Sequence, residues 1–499
     1  MPLRAAPAIE TRGAEETGTA PVAASETVES AEIAAAAESV AGVAPVGTGG
    51  GDSPTGPIPL TSPGPRPEPP TGPVPAPSPG LVRATATPSR TEIDELRAQN
   101  ASLAAELAEL RTGYRAIAGS TRLRASGITD PVRFAVEGTA PGGARAGRLV
   151  LPRGEIATPA FVPVAVRGAI AGLTPRELTD LGTQALTVDL HELYLQPGPD
   201  VIEGIGGIGR AMAWPAPIIA DTGAAAIAAQ PKTRITDEGI AFRSRLDGSP
   251  RRWDAEEAVR LAHRMGFDVA FALADPADPG RTERWARRAL AEHGWQTADR
   301  HDAVSLWAVV AGGADPEARR SAARAVRRLA DEDRRAGGLG FGGYRLEGVQ
   351  DPAALRAAVG ELEADRPRYV AAVDDPADLL AAIEAGADLV DGTAPARAGA
   401  EGRVFTSTGV LNVTDPSLRA DFRPLDPAGP GVLGGNRVDE FTRAYVHHLF
   451  AANEGLAVTL CTLHNEHFFV GLAAAARKAI LTGGYPDFAM SFLRGFGKV

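Results

Sequence analysis

From about Arg133 onward, short apolar runs alternate with amphipathic stretches. The runs fall at Thr158–Val166, Gln184–Asp189, Pro217–Asp221, Asp268–Asp275, Ser305–Val310, Gly338–Gly343, Tyr369–Asp374 and Ala387–Asp391. Between most of them, apolar residues spaced by three and four predict helices at Pro175–Leu181, Ala255–Met265, Thr282–His293, Pro316–Asp333, Pro352–Leu362 and Pro376–Ala385. Eight buried strands separated by helices predict an α/β fold, a closed (β/α)8 barrel of the TIM type. A doubly wound open sheet is the alternative, but no G-x-G-x-x-G turn follows any of the strands. Thr233–Trp253 alternates polar and apolar residues about Asp247-Gly248, which predicts a β-hairpin inserted after the third strand. Beyond the last strand, Val404–Val413 reads as a strand and Asp439–Ala452 and Phe468–Leu481 as helices, forming a C-terminal subdomain appended to a barrel region spanning 131–499.

Upstream the period changes. Ile93, Leu96, Asn100, Leu103, Leu107, Leu110, Tyr114 and Ile117 step by three and four in strict alternation, the seam of a coiled coil over 91–118. Asn100 takes an a position, where a buried amide fixes a two-stranded register, so the helix is expected to pair two chains, as a homodimer or with another protein. A single amphipathic helix lying on its own barrel is the alternative. Residues 1–90 have no apolar period at all; Ala, Pro, Thr, Ser and Gly alternate there, and the segment is expected to be disordered.

Composition narrows the classes. The first residues carry early acids and no continuous apolar core, which argues against a secretion signal, and no run is long enough to span a membrane. One cysteine, Cys461, forms no internal disulfide and fits a reducing cytoplasm. A net charge of −11 argues against a protein that coats nucleic acid non-specifically, but not against a local basic surface.

Five runs end in an acid: Asp189, Asp221, Asp275, Asp374 and Asp391. Aspartate is also a common turn and helix-cap residue, which alone accounts for any one of them. Asp221 and Asp391 stand out because small residues follow each, leaving room for a ligand. Two carboxylates at strand ends are what a double displacement at a sugar carbon needs, one to attack and one to move a proton. Asp189 and Asp275 are candidates for contacts to the same substrate. The loop after Asp391 carries Arg397, a candidate phosphate contact.

Taken together, GRLVLPRGEIATPAFVPVAVRGAIAGLTPREL, MAWPAPIIADTG, ITDEGIAFRSRLDGSP, GADLVDGTAPAR, GRVFTSTGVLNV, RPLDP, FTRAYVHHLFAANE and TLHN follow one another in the order seen in the tRNA-guanine transglycosylases. From about Phe134 to Leu481 the chain resembles that family, the queuine and archaeosine tRNA-ribosyltransferases. The resemblance implies a tRNA substrate, a flipped-out purine-like base, and Asp391 as the nucleophile that attacks ribose C1′ to form a covalent intermediate. It makes Asp221 the proton-handling partner, Gly342 and Gly343 the glycine pair under the base, and Arg397 the first arginine after the nucleophile.

The chain also departs from the family pattern. Ala274 and Ala311 replace an aspartate and a glutamine that read the base, and Thr222, Gly223, Ala224, Ala225 and Ala226 replace a serine-glycine-glycine-phenylalanine-glutamine run. Gly429, Gly431 and Gly434 stand where the family has three zinc cysteines, leaving only His464 of that set, so no zinc and no other cofactor is expected. The expected activity is base exchange on tRNA with altered base preference. The alternative is a catalytically silent relative that binds RNA or a protein partner.

Overall fold

The computed structural model describes residues 90–300, 304–347, 351–426 and 437–498. The expected disorder of 1–90 lies outside them, apart from Arg90 at the start of the first helix, and so do Gly429, Gly431 and Gly434.

The barrel strands are β1 (Ala160–Pro163), β2 (Leu186–Asp189), β3 (Ile218–Asp221), β4 (Val269–Phe271), β5 (Ser305–Val310), β6 (Tyr344–Leu346), β7 (Arg368–Val370) and β8 (Leu389–Gly392). They form one parallel sheet in the order β1-β8-β7-β6-β5-β4-β3-β2. The ring closes where Val164, just past β1, bridges Thr187 in β2 and Ala165 N–H donates to Thr187 O at 2.8 Å. Five of the predicted runs contain the observed strands, the seventh and eighth overlap them to within one residue, and the sixth is displaced. Gly338–Gly343 is a turn, with Gly340 at φ +68° and its N–H on the Asp333 carboxylate at 2.9 Å; the strand begins at Tyr344.

Before β1 lies an antiparallel sheet of Arg133–Thr139, Arg145–Leu151 and Gly154–Thr158, which the sequence reading missed. Its buried Leu149, Leu151 and Ile156 cluster with Ile219, Val269, Trp307, Tyr369 and Leu389 of the barrel strands. The sheet therefore plugs the barrel at the end opposite the strand tips that carry Asp221 and Asp391. The predicted hairpin is a three-stranded sheet of Arg234–Thr236, Gly239–Arg243 and Pro250–Trp253. At the C-terminus, Arg403–Thr406 pairs with Gly409–Asn412, and the helix Gly455–Leu481 buries Phe469 against Phe161 of β1, ring centroids 5.0 Å apart.

A buried ion pair anchors the start of β8. Arg145 donates to Asp388 from Nε at 2.8 Å and Nη2 at 2.5 Å, and to the carbonyls of Ala364 and Arg366 at 2.6 and 2.8 Å. Both residues are inaccessible to water, so removing one partner strands the other's charge. Arg145→Leu is expected to destabilise the protein by about 3 kcal/mol or more, read as a lower urea midpoint. A midpoint within error of wild type would show that the pair contributes nothing.

The N-terminal helix runs Arg90–Ser126, beyond the expected 91–118. Its C-terminal half lies on the helix Pro279–Arg300, with Gly119 against Gly294 and Trp295: a Cβ at Gly119 would stand 2.9 Å from Trp295 N. Arg122 lies over the Trp295 ring at 4.2 Å, Arg115 pairs with the buried Glu292, and Leu123 is buried.

Candidate active site

The carboxyl ends of the barrel strands carry the site. Asp391, in β8, is 4% exposed, and both of its oxygens are occupied. Ala372 N–H donates to Oδ1 at 2.7 Å and the Tyr369 hydroxyl to Oδ2 at 2.6 Å. Ala372 adopts φ +62°, a conformation that strains any residue with a Cβ by about 1–3 kcal/mol, and the resulting turn sets its amide on the carboxylate. Tyr369 in turn shares a 2.6 Å hydrogen bond with Thr187 of β2. Burial pushes the Asp391 carboxyl up to about 6, against the opposing pull of Arg345 and the Tyr369 and Ala372 hydrogen bonds.

Asp221 ends β3. Its Oδ1 accepts from Gly223 N–H at 2.9 Å and its Oδ2 from Arg345 Nη1 at 2.6 Å. Arg345, in β6, lies over the Phe271 ring at 4.8 Å and reaches Glu347 at 3.6 Å. Burial disfavours its charge, but the carboxylates of Asp221, Glu347 and Asp391 outweigh that and hold the guanidinium firmly protonated. Its Nε is buried without a hydrogen-bond partner.

Asp189 is the register partner of Asp221 across β2 and β3. Burial and the Asp221 charge raise its carboxyl to about 7, although Glu192 N–H donates to it at 3.0 Å as a helix cap. Gly223 is held at φ +67° against it, where a Cβ would stand 2.6 Å from Asp189 Oδ1. Asp189, Asp221, Arg345 and Glu347 border a cavity of about 170 Å³ whose other walls are Thr222, Gly223, Ala224, Ala225, Ala226, Ala272, Ala274, Pro276 and Val309.

Three predicted contacts are not gathered here, and a fourth lies at the rim. Gly342 and Gly343 precede β6, at the plugged end: a Cβ on Gly342 would meet Ser305 Oγ at 2.1 Å and Asp130 at 2.8 Å, and one on Gly343 the Trp307 ring at 2.6 Å. They are glycines because the chain packs tightly there, and they cannot lie under a base at the strand tips. Asp275 holds Arg281 Nη1 at 2.5 Å and accepts from Ala277 N–H at 3.0 Å, so it organises the loop entering the helix Pro279–Arg300. Arg397 stands exposed beyond β8, paired with Asp374 at 2.8 Å. Ala311 lines a neighbouring hollow.

Sequence reasoning missed Arg345 and Tyr369. The signal was available: an arginine between two buried apolar residues of a barrel strand must find a carboxylate, and a buried tyrosine hydroxyl must find an acceptor.

His464 Nε2 is hydrogen-bonded to Phe405 O at 2.8 Å, and among the described residues no three His, Cys, Asp or Glu side chains converge as metal ligands. No helix among the described residues is long and apolar enough to cross a membrane.

A closed parallel barrel with paired carboxylates at its C-terminal rim places the protein in the class of (β/α)8 proteins whose chemistry sits at that rim. The family model for queuine tRNA-ribosyltransferase matches residues 140–498. A queuine tRNA-ribosyltransferase of Moorella thermoacetica is 35% identical over 378 residues, covering 72% of this chain and 96% of the relative. Those of Desulfosudis oleivorans and Cereibacter sphaeroides are each 34% identical, covering 70% and 72% of this chain and 92% and 96% of their own lengths. The chain belongs to the queuine tRNA-ribosyltransferase family.

Proposed function

We propose that the protein exchanges a base on tRNA through a covalent ester between Asp391 and the ribose, without zinc or another cofactor, in the cytoplasm. The observation that carries this is the pairing, at one rim, of a buried carboxylate held by two donors with a second carboxylate, Asp221, whose ion-pair partner Arg345 also acts electrostatically on the first. Asp391 attacks C1′, the C1′–N bond breaks, and its electrons leave with the base, which takes up a proton. An incoming base gives up a proton, its nitrogen attacks C1′, and the ester bond breaks to return the Asp391 carboxylate. Asp221, paired with Arg345, and Asp189, whose carboxyl burial and the neighbouring Asp221 raise to about 7, form the couple that moves those protons.

Alanines at 225, 226, 272 and 274 give the cavity walls no side-chain donors or acceptors for a base edge. The base, purine-like as the family resemblance implies, is then not read as guanine is in the family, and besides the two aspartates Thr222, Arg345 and Glu347 are the polar groups left to contact it. Arg397, exposed beyond β8 and paired with Asp374, is the residue assigned to a phosphate of the tRNA backbone.

The same alanine walls, with Asp221 engaged by Arg345, favour a second reading, a barrel that binds RNA without exchanging a base. Incubation of the protein with total tRNA, resolved on a denaturing gel beside Asp391→Ala, separates the two. A shifted band that requires Asp391 supports exchange; binding in a native gel with no such band supports the second reading and excludes the first.

A further inference from the structure

The N-terminal helix is two-faced. The side carrying Ala105, Ala108, Thr112, Gly113 and Ala116 faces its own chain across a cleft of about 500 Å³. The opposite side carries Leu96, Leu103, Leu107, Leu110, Tyr114 and Ile117, between 48% and 73% exposed. A stripe of six large apolar residues along a single helix, exposed although the Tyr114 ring also lies 6.2 Å from that of Trp295 in the same chain, marks an interaction surface.

We infer that a second copy of this chain covers the stripe, as a parallel, in-register, two-stranded coiled coil. Three observations select that occupant. The stripe follows the 3,4 alternation of a heptad seam, with Asn100, Leu107 and Tyr114 at a and Leu96, Leu103, Leu110 and Ile117 at d. Asn100 lies exposed in it; in a parallel pair it meets Asn100 of the second copy and both amides are satisfied, whereas in an antiparallel pair a positions face d positions and it would be set against a leucine. Glu106 at g and Arg111 at e are both exposed, and among the described residues no ion pair within the chain engages either. A g residue meets the e residue five places later on the parallel partner, so each Glu106 faces Arg111 of the second copy, twice per dimer. Because the small-residue face is the one turned to the barrel, each barrel sits outside the coil and clears the other. The helix reaches about 55 Å at 1.5 Å per residue, so the pairing joins two barrels with both rims free. This inference stands apart from the chemistry at the rim.

The test uses the full chain. Its mass in solution at tens of micromolar, by light scattering, is expected to halve in Leu103→Glu/Leu107→Glu. The barrel's thermal unfolding is unchanged because both positions face water within one chain. A wild-type mass of 51.5 kDa, a mass that does not halve in the variant, or a three-chain wild type overturns the inference. Cys461 is buried and is the sole cysteine, so single variants Leu96→Cys and Ile117→Cys report orientation through a short bis-maleimide. Each alone is expected to give a two-chain band. Crosslinking only in a mixture of the two would show an antiparallel pair and overturn the parallel assignment.

Discussion

Asp391→Ala is expected to abolish covalent capture of tRNA, a fall on the order of 10⁴-fold or more, because it removes the carboxylate proposed to form the ester while Asp221 stays engaged by Arg345. The same residue is expected to hold stability down. Its carboxyl titrates at about 6 in the folded protein against 3.8 ordinarily, so between those values the folded state carries a proton that the unfolded chain has lost. Stability therefore falls as pH rises through that window, and above it the buried charge costs on the order of 3 kcal/mol. Asn has no charge to bury and keeps an oxygen for the Ala372 amide or the Tyr369 hydroxyl. Asp391→Asn should unfold at a higher temperature than wild type at pH 8 and at the same temperature near pH 3.5. An equal shift at both values would mean that something other than charge burial separates the two proteins, and a covalent band formed by either variant would remove Asp391 from the nucleophile's role.

A residue held at a cost to the fold is what a reactive centre at the bottom of a closed rim requires. The surrounding structure sustains it: Ala372 accepts a left-handed backbone, Tyr369 and Thr187 chain their hydroxyls together across the barrel, and Arg345 brings a cation into a water-poor space.

The parts of this arrangement that were legible in the sequence are those that depend on local pattern. Buried strands in a parallel barrel are nearly continuous apolar runs, so β1 to β5, β7 and β8 are visible as runs, and Asp221 and Asp391 as the acids that stop two of them. Local pattern misleads where glycine imitates it. Gly338–Gly343 contains Leu339 and Phe341 among glycines and resembles a short buried strand, yet the glycines are there for a tight turn against Asp333, Ser305 and Trp307. Misplacing that strand by a few residues also hid Arg345, which lies in the strand Tyr344–Leu346 rather than in a loop. Asp189 and Asp275 show the limit from the other side. Both end apolar runs and both are followed by helices, but only the register of β2 with β3 reveals that one faces Asp221 while the other is spent on Arg281. Spacing along one chain carries no information about which neighbour lies across the sheet.

Arg345→Met should move the pH dependence of covalent capture rather than simply lower it. Arg345 is the strongest influence holding the Asp391 carboxyl down against burial. Without it, Asp391, Asp221 and Glu347 share the rim with no cation between them, and the carboxyl that must be ionised to attack keeps its proton to higher pH. The midpoint for adduct formation is expected to rise by at least about one unit, which at pH 6.5 is a loss of roughly 3-fold or more that is largely recovered by pH 8.5. Stability should also fall by on the order of 3 kcal/mol, since carboxylates are left buried and unpaired. Arg345→Lys separates the two effects. It restores a positive charge, and with it a midpoint near that of wild type, but its compact ammonium cannot lie flat on Phe271 while reaching both Asp221 and Glu347. A methionine variant whose loss is the same at every pH would confine Arg345 to holding the rim together, whereas a shifted midpoint that lysine reverses makes it the group that keeps Asp391 ready to attack.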